Sequence, residues 1–237
     1  MRRTLAGLAA LLLMSAETAG AATLRVSPVT IDLSLPRNSA TVKLRNGADR
    51  PLNVQVRVFR WIQEGGVDRY EPTTAVVASP PATRLAPNVD YTVRVVRVSR
   101  TPVTTEESYR LIIDELPTNL IRRSGTINFV MRHSIPVFFK SPQAARPKVS
   151  WRLMGVDGRL KLVAENAGGS RLKLADLSIL QGNAALYRRN GLVGYVLAGA
   201  RMEWPVVLRQ RPSASVLTLK AKSQLGVLDE NVAVIGR

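Results

Sequence analysis

Alternation of apolar and polar residues with a period of two is the feature that most narrows what this chain can become. Thr41-Val-Lys-Leu-Arg45, Leu52-Asn-Val-Gln-Val-Arg-Val-Phe59 and Tyr91-Thr-Val-Arg-Val-Val-Arg-Val98 all carry it. Successive side chains of an extended chain point to opposite faces, so each run predicts a strand buried on one side only. Turn clusters separate the runs: Pro36-Arg-Asn-Ser39, Asn46-Gly-Ala-Asp49, Glu64-Gly-Gly66, Pro80-Pro81 and Ala86-Pro-Asn88. Strands of this length at this spacing predict an antiparallel sandwich.

Further strands follow. Tyr109 to Leu116 is closed by Pro117, and a polar segment with Arg122, Arg123, Ser124 and Gly125 leads into a long extended run from Thr126 to Lys140. In that run Ile127, Phe129, Met131, Ile135, Val137 and Phe139 share one parity, interrupted by His133. Pro136 lies inside it. Because proline cannot donate to a ladder, the strand is expected at a sheet edge or bulged there. Ser141-Pro-Gln-Ala-Ala-Arg-Pro147 reads as a linker. Beyond it, Val149 to Met154, Leu160 to Glu165, Leu172 to Leu180 and Val216 to Leu219 are weaker strand candidates, with turns at Asp157-Gly158 and Gly168-Gly169.

At the N-terminus, Arg2 and Arg3 precede the apolar run Leu5 to Met14, and Ala19, Gly20, Ala21 and Ala22 follow. A charged start, an apolar stretch too short to span a bilayer and a small-residue cleavage site predict an export signal over residues 1–22. No later stretch holds 18 consecutive apolar residues, so no stable membrane anchor is expected. The remainder suits two immunoglobulin-sized sandwiches, residues 23–141 and 148–237, joined by 142–147. The chain has no cysteine and 46% apolar residues, so apolar burial has to hold these units together.

Lys plus Arg number 34 against 17 Asp plus Glu. In a cytosolic protein such a surplus suggests nucleic acid, but the export signal argues against that partner. The basic residues are scattered singly along alternating strands, as in Arg57, Arg60, Arg94 and Arg97, which reads as a solvated polar face. The surplus is also suited to collecting acidic subunits or approaching an anionic membrane.

Catalytic chemistry has little to stand on. One histidine and no cysteine exclude thiol catalysis, thiolate zinc sites and multi-histidine metal sites. His133 on an apolar strand, with no nucleophile elbow around any serine, reads as a packed or interface histidine. The pairs Glu106-Glu107 and Asp114-Glu115 are neighbours in extended chain and point to opposite faces, so neither makes a shared acid/base site. There is no phosphate-binding glycine loop. An enzyme is not expected, nor a cofactor or metal.

Several segments together resemble the periplasmic chaperones of the chaperone-usher pathway, most closely the branch serving spore-coat-U-like or archaic pili. They are Leu24-Arg-Val-Ser-Pro-Val-Thr-Ile-Asp-Leu33, Ala40-Thr-Val-Lys-Leu-Arg-Asn46, Val77-Ala-Ser-Pro-Pro81 with Arg84-Leu-Ala-Pro87, Tyr91-Thr-Val-Arg-Val-Val-Arg97, Glu107-Ser-Tyr-Arg-Leu111 with Asp114-Glu-Leu-Pro117, and Ser134-Ile-Pro-Val-Phe138. Any one is weak, but the ordered set is specific.

The resemblance implies an all-β boomerang of two Ig-like antiparallel sandwiches that binds pilin subunits by donating a strand, hands them to an outer-membrane usher, and is capable of self-association through the donor edge. It implies that Ile127, Phe129 and Met131 enter the subunit's groove. The alternation alone is equally consistent with all three facing the chain's own core. It also implies a basic anchor for the subunit's C-terminal carboxylate. The usual positions fall on Thr30 and Pro136, which carry no charge, so Arg132, Arg25 and Arg94 are the candidates. Finally it implies an interdomain ion-pair cluster of Glu107, Lys140 and Asp229. An exported Ig-like structural or adhesive surface protein is the alternative reading.

Overall fold

The computed structural model describes residues 24–116, 130–156 and 159–236; the expected export signal over residues 1–22, and Ile127 and Phe129, lie outside them. Among the described residues the regular structure is all strand. Two sheets form the first sandwich. One has four strands in the order β1 (Leu24–Ser27), β3 (Ser39–Asn46), β8 (Asp90–Arg97) and β6 (Val76–Ser79). The other runs β2 (Ile31–Ser34), β10 (Arg132–Lys140), β9 (Glu107–Leu116), β4 (Leu52–Glu64) and β5 (Val67–Pro72), with β7 (Ala82–Leu85) also on β4.

The alternation read from the sequence sets the burial. Val42 and Leu44 on β3, Val93 and Val95 on β8, Val54 and Val56 on β4, and Tyr109, Leu111 and Ile113 on β9 all turn inward and form one core between the sheets. The segment from Leu24 to Ser34 serves both layers, pairing with β3 through β1 and with β10 through β2.

Arg97 departs from the expected solvated face. It shares the inward parity of Val93 and Val95, and at the strand end it is buried, donating from Nε and Nη2 to the two carboxylate oxygens of Glu107, each at 2.8 Å. Burial raises the Glu107 carboxyl, but the hydrogen bonds from Arg97 and the Tyr109 hydroxyl outweigh it and hold the group below its ordinary value.

β11 (Val149–Val156), β12 (Arg159–Asn166), β13 (Leu172–Gln181), β14 (Ala184–Val196), β15 (Arg201–Val206), β16 (Val216–Ser223) and β17 (Gly226–Ile235) make the second unit, in the order β14-β13-β16-β17-β11-β12-β15. β17 pairs with β16 along its length and with β11 only at Ala233–Ile235, so it carries the ladder from one layer to the other. Trp151, Leu153, Leu162, Leu174, Leu219 and Trp204 belong to the core between those layers.

The connection between the units lies on the second one. Buried Asn166 accepts from Lys148 N at 3.0 Å and donates to the carbonyls of Ser170, Val196 and Leu197. A Cβ on Gly168 would stand 2.2 Å from the Arg146 carbonyl oxygen, so only glycine lets the backbones approach this closely.

Candidate functional site

β10 has an incomplete neighbour. On one side β9 pairs with it from Arg132 to Phe139, but on the other β2 covers only Val137 to Lys140. Among the described residues nothing pairs with the outer edge between Arg132 and Pro136. The phase of the ladder shows what that edge presents. Glu115 N donates to Met131 O at 2.9 Å, so Met131, His133 and Ile135 direct their backbone groups at β9, while Arg132, Ser134 and Pro136 direct theirs to the open side. Leu35 N donating to Lys140 O on the β2 side, at 3.0 Å, has the same phase. The open edge therefore offers N–H and C=O from the exposed residues Arg132 and Ser134, whereas Pro136 is buried. Proline's missing donor falls on the side where no ladder needs it, which is the edge position its presence predicted.

The side chains of β10 split by parity. Ile135, Val137 and Phe139 are fully inside the core. His133 is half-buried opposite Ile113, with no hydrogen-bond partner for Nε2 among the described residues. Met131 continues this parity and is 40% exposed, beside exposed Val130 and Leu116. Together with Gln55, Arg57, Asp114 and Arg132 they border an open depression of about 440 Å³. Of the expected donor residues, only Met131 is among the described residues, one position before β10.

On the opposite face of β10, Arg132 donates from Nε to Asp114 at 2.5 Å, and Arg57 reaches the other Asp114 oxygen at 2.6 Å. Burial raises the Asp114 carboxyl, but the two guanidinium partners prevail and hold it below its ordinary value. Arg25 and Arg94 do not join this wall. They lie exposed on the outward face of the other sheet, where Arg25 stands opposite Arg45 and Arg94 opposite Thr41. Their strand parity dictates this, since Leu24 on β1 and Val93 and Val95 on β8 take the core positions.

Sequence reasoning passed over Arg110. On β9, opposite Pro136, its guanidinium carbon lies 3.8 Å from the Trp61 ring centroid and about 6 Å from those of Tyr70 and Tyr195. No carboxylate pairs with it among the described residues, and its Nε is buried without a hydrogen-bond partner there. The signal was available: Arg110 has the outward parity of Asp114, on the face where aromatic residues of β4 also point.

That face meets the second sandwich. Trp61 and Phe138 pack with Tyr195 and Leu197, with ring centroids 5.3 Å apart for Trp61 and Tyr195. Gln63 donates to Tyr195 O at 2.8 Å and accepts from Leu197 N at 2.9 Å, and the β4–β5 turn receives Glu203 N on Gly66 O at 3.0 Å.

The ion pairs across this interface differ from the expected ones. Glu107 is bound within the first sandwich by Arg97, Asp229 pairs with Lys220 at 3.2 Å within the second, and neither joins Lys140 among the described residues. The bridging cation is Arg171, which donates to Glu106 at 2.5 Å and to Asp32, and lies 3.5 Å from the Phe138 ring centroid. The offset of one residue has a simple cause. Glu107 points into its own sandwich, so its neighbour Glu106 points out of it.

Comparison with known proteins follows this geometry. The family model described as pili and flagellar-assembly chaperone, PapD N-terminal domain, matches residues 23–145. No curated protein matches the chain by sequence. Among solved structures, the CsuC–CsuE chaperone–tip adhesion subunit complex from the archaic Csu pili of Acinetobacter baumannii is similar at TM-score 0.70 and 24% identity, over 90% of this chain and 99% of that one. The YadV chaperone is similar at TM-score 0.63 and 16% identity, over 90% and 100%. The Salmonella enterica SafA pilin–SafB chaperone complex gives TM-score 0.61 and 17% identity, over 90% and 98%. With the family model spanning more than half the chain and the two-sandwich fold matched throughout, this chain belongs to the pilus and flagellar-assembly chaperone family.

Proposed function

We propose that the chain is a periplasmic chaperone that binds pilin subunits by donor-strand complementation and delivers them to an outer-membrane usher. The observation that carries this reading is the open edge of β10 from Arg132 to Pro136, continuous in sequence with Ile127, Phe129 and Met131. A subunit lacking its last strand exposes a row of unpaired backbone groups beside an apolar groove. The edge answers the first, and alternate apolar side chains answer the second. Each large side chain buried there contributes about 1.5 to 3 kcal/mol before ordering costs.

Residues 23–141 are the subunit-binding unit in this reading, 142–147 the linker, 148–237 the second sandwich, and 1–22 the export signal. Arg110 is the first candidate to meet the subunit's C-terminal carboxylate, because it is a cation on the cleft face without a carboxylate of its own. Arg132 is second, since Asp114 already occupies it in part. Arg25 and Arg94, on the other sheet, rank behind both. The Arg171 pairs with Glu106 and Asp32 stand in place of the interdomain cluster expected of Glu107, Lys140 and Asp229, and in this reading set the angle between the sandwiches.

Co-expression with a pilin subunit deprived of its own donor extension tests the proposal. The two proteins copurify, and Phe129→Asp or Met131→Asp lowers subunit levels in the periplasm. A pair that never copurifies, with both variants inert, ends this reading.

A further inference from the structure

The β4–β5 hairpin runs off the first sandwich. From Asn53 to Arg60 β4 pairs with β9, but from Trp61 to Glu64 only β5 pairs with it among the described residues, and β5 is exposed throughout. Burial in the first core therefore does not account for this stretch. Its contacts do. Trp61 stands opposite Tyr70 and Gln63 opposite Asp68, so these four share one face of the hairpin. That face meets the second sandwich through the Trp61 and Tyr195 rings and through the Gln63 amide, which bonds the backbone on either side of Val196 as a neighbouring strand would.

Strand parity sets the face of Gln63 and Trp61, but not the rotation of the amide or of the indole. Asp68 sets both. One of its oxygens, Oδ1, accepts from Gln63 Nε2 and from Trp61 Nε1, each at 2.9 Å. A carboxylate only accepts, so it draws the –NH2 end of the amide toward itself and leaves Oε1 for the Leu197 N–H. Tyr195 and Leu197 favour the same orientation, but they belong to the other sandwich. Among the described residues of the first, Asp68 is the hydrogen-bond partner of both groups. The indole it holds is buried, and Arg110 lies 3.8 Å from its centroid. We propose that Asp68 is a positioning residue for the cleft, presenting Gln63 and Trp61 ready-oriented to the second sandwich and, through Trp61, fixing the wall that carries Arg110. Ordering these groups in advance removes a cost otherwise met when the surfaces come together. The consequence for subunit binding rests on the donation reading above.

The test uses the full mature chain and the variants Asp68→Ala, Asp68→Asn, Gln63→Ala and the Asp68→Ala/Gln63→Ala double. The Leu197 amide, whose acceptor lies on the other sandwich, reports on the free protein by hydrogen exchange. It exchanges about tenfold faster in Asp68→Ala and in Gln63→Ala and no faster in the double, while the Ile113 and Leu219 amides, one in each core, keep their wild-type rates. Asp68→Asn keeps an oxygen acceptor and with it the wild-type rate. Affinity for a pilin subunit lacking its donor extension falls about tenfold in Asp68→Ala and is retained in Asp68→Asn; in an Arg110→Gln chain, Asp68→Ala brings no further loss. Unchanged Leu197 exchange in Asp68→Ala, an additive effect in the double, or Asp68→Asn behaving as the alanine variant each overturn the positioning role. Wild-type affinity in Asp68→Ala, or a further loss in the Arg110→Gln chain, overturns its part in the cleft and leaves donation intact. Failure of the wild-type chain to hold the subunit overturns the donation reading, and Leu197 exchange still decides whether Asp68 orients the hairpin.

Discussion

Replacing Arg171 with methionine should loosen the two sandwiches by an amount the structure allows to be worked out. The guanidinium is 9% exposed and its partner Glu106 is 1% exposed in the side chain, so the variant strands a carboxylate away from water. Removing one member of a buried pair costs about 3 to 5 kcal/mol, most of it from the charge left behind. Asp32 adds little, being half-exposed, and methionine keeps some of the contact with the Phe138 ring. For a chain of this size that corresponds to a fall in Tm of roughly 6 to 20 °C.

Thermal unfolding followed by circular dichroism reads the loss, and proteolysis at residues 141–148 reports whether the sandwiches part first. The pH dependence is a second signature. Burial, outweighing Arg171, raises the Glu106 carboxyl above its ordinary value of 4.5. A carboxyl raised in the folded state adds stability that is full below the unfolded pKa and lost as pH rises through the folded one. Acidification should therefore partly rescue Arg171→Met, and Glu106→Gln in the same chain should restore about 2 kcal/mol at neutral pH. A single variant costing less than about 1 kcal/mol, or a double variant no more stable than the single, would refute the reasoning.

Other perturbations follow from single residues. Gly66→Ala meets both a φ of +80° and a Glu203 Cγ 2.5 Å from the new Cβ; a loss of about 1 to 2 kcal/mol in thermal unfolding, with faster exchange of the Glu203 amide, is expected. The Glu107 carboxyl, raised by burial but lowered further by Arg97 and Tyr109, contributes stability that is full above 4.5 and lost as pH falls through its depressed folded value; urea unfolding along an acid series shows this, and Glu107→Gln flattens that part of the profile. Pro136→Ala removes buried ring carbons and adds an N–H on the side away from β9, so urea unfolding should register a loss of about 1 to 3 kcal/mol. A larger loss would mean that the proline shapes β10 itself.

The strands that sequence made legible are those with one wet and one dry face. β3, β4, β8 and β9 alternate because their inward residues share a core, and a turn cluster with glycine ends β4 at Glu64. β5 is exposed throughout, and β17 buries only Val232, so neither leaves a period to read. β14 is interrupted by Gly191 and Gly194 and by register shifts against β13. The edge at Pro136 was legible because proline's missing N–H is a property of one residue. The cation of the cleft and the ion pairs between the sandwiches were not, because each depends on what a remote strand places opposite.

Sequence by itself determined the two-sandwich class, the inward residues of the first core and the strand whose edge stays open. The last two follow from local chemistry, the pleat's period of two and the donor that proline lacks, whereas the division into two sandwiches rested on chain length and on the resemblance. Tertiary structure alone decided that Glu106 meets Arg171, that Arg110 sits among Trp61, Tyr70 and Tyr195, and that Asp114 gathers Arg57 and Arg132. Parity tells which way a side chain points. Only the packed chain brings it a partner, because the strength of an ion pair depends on the distance and burial of a residue dozens of positions away.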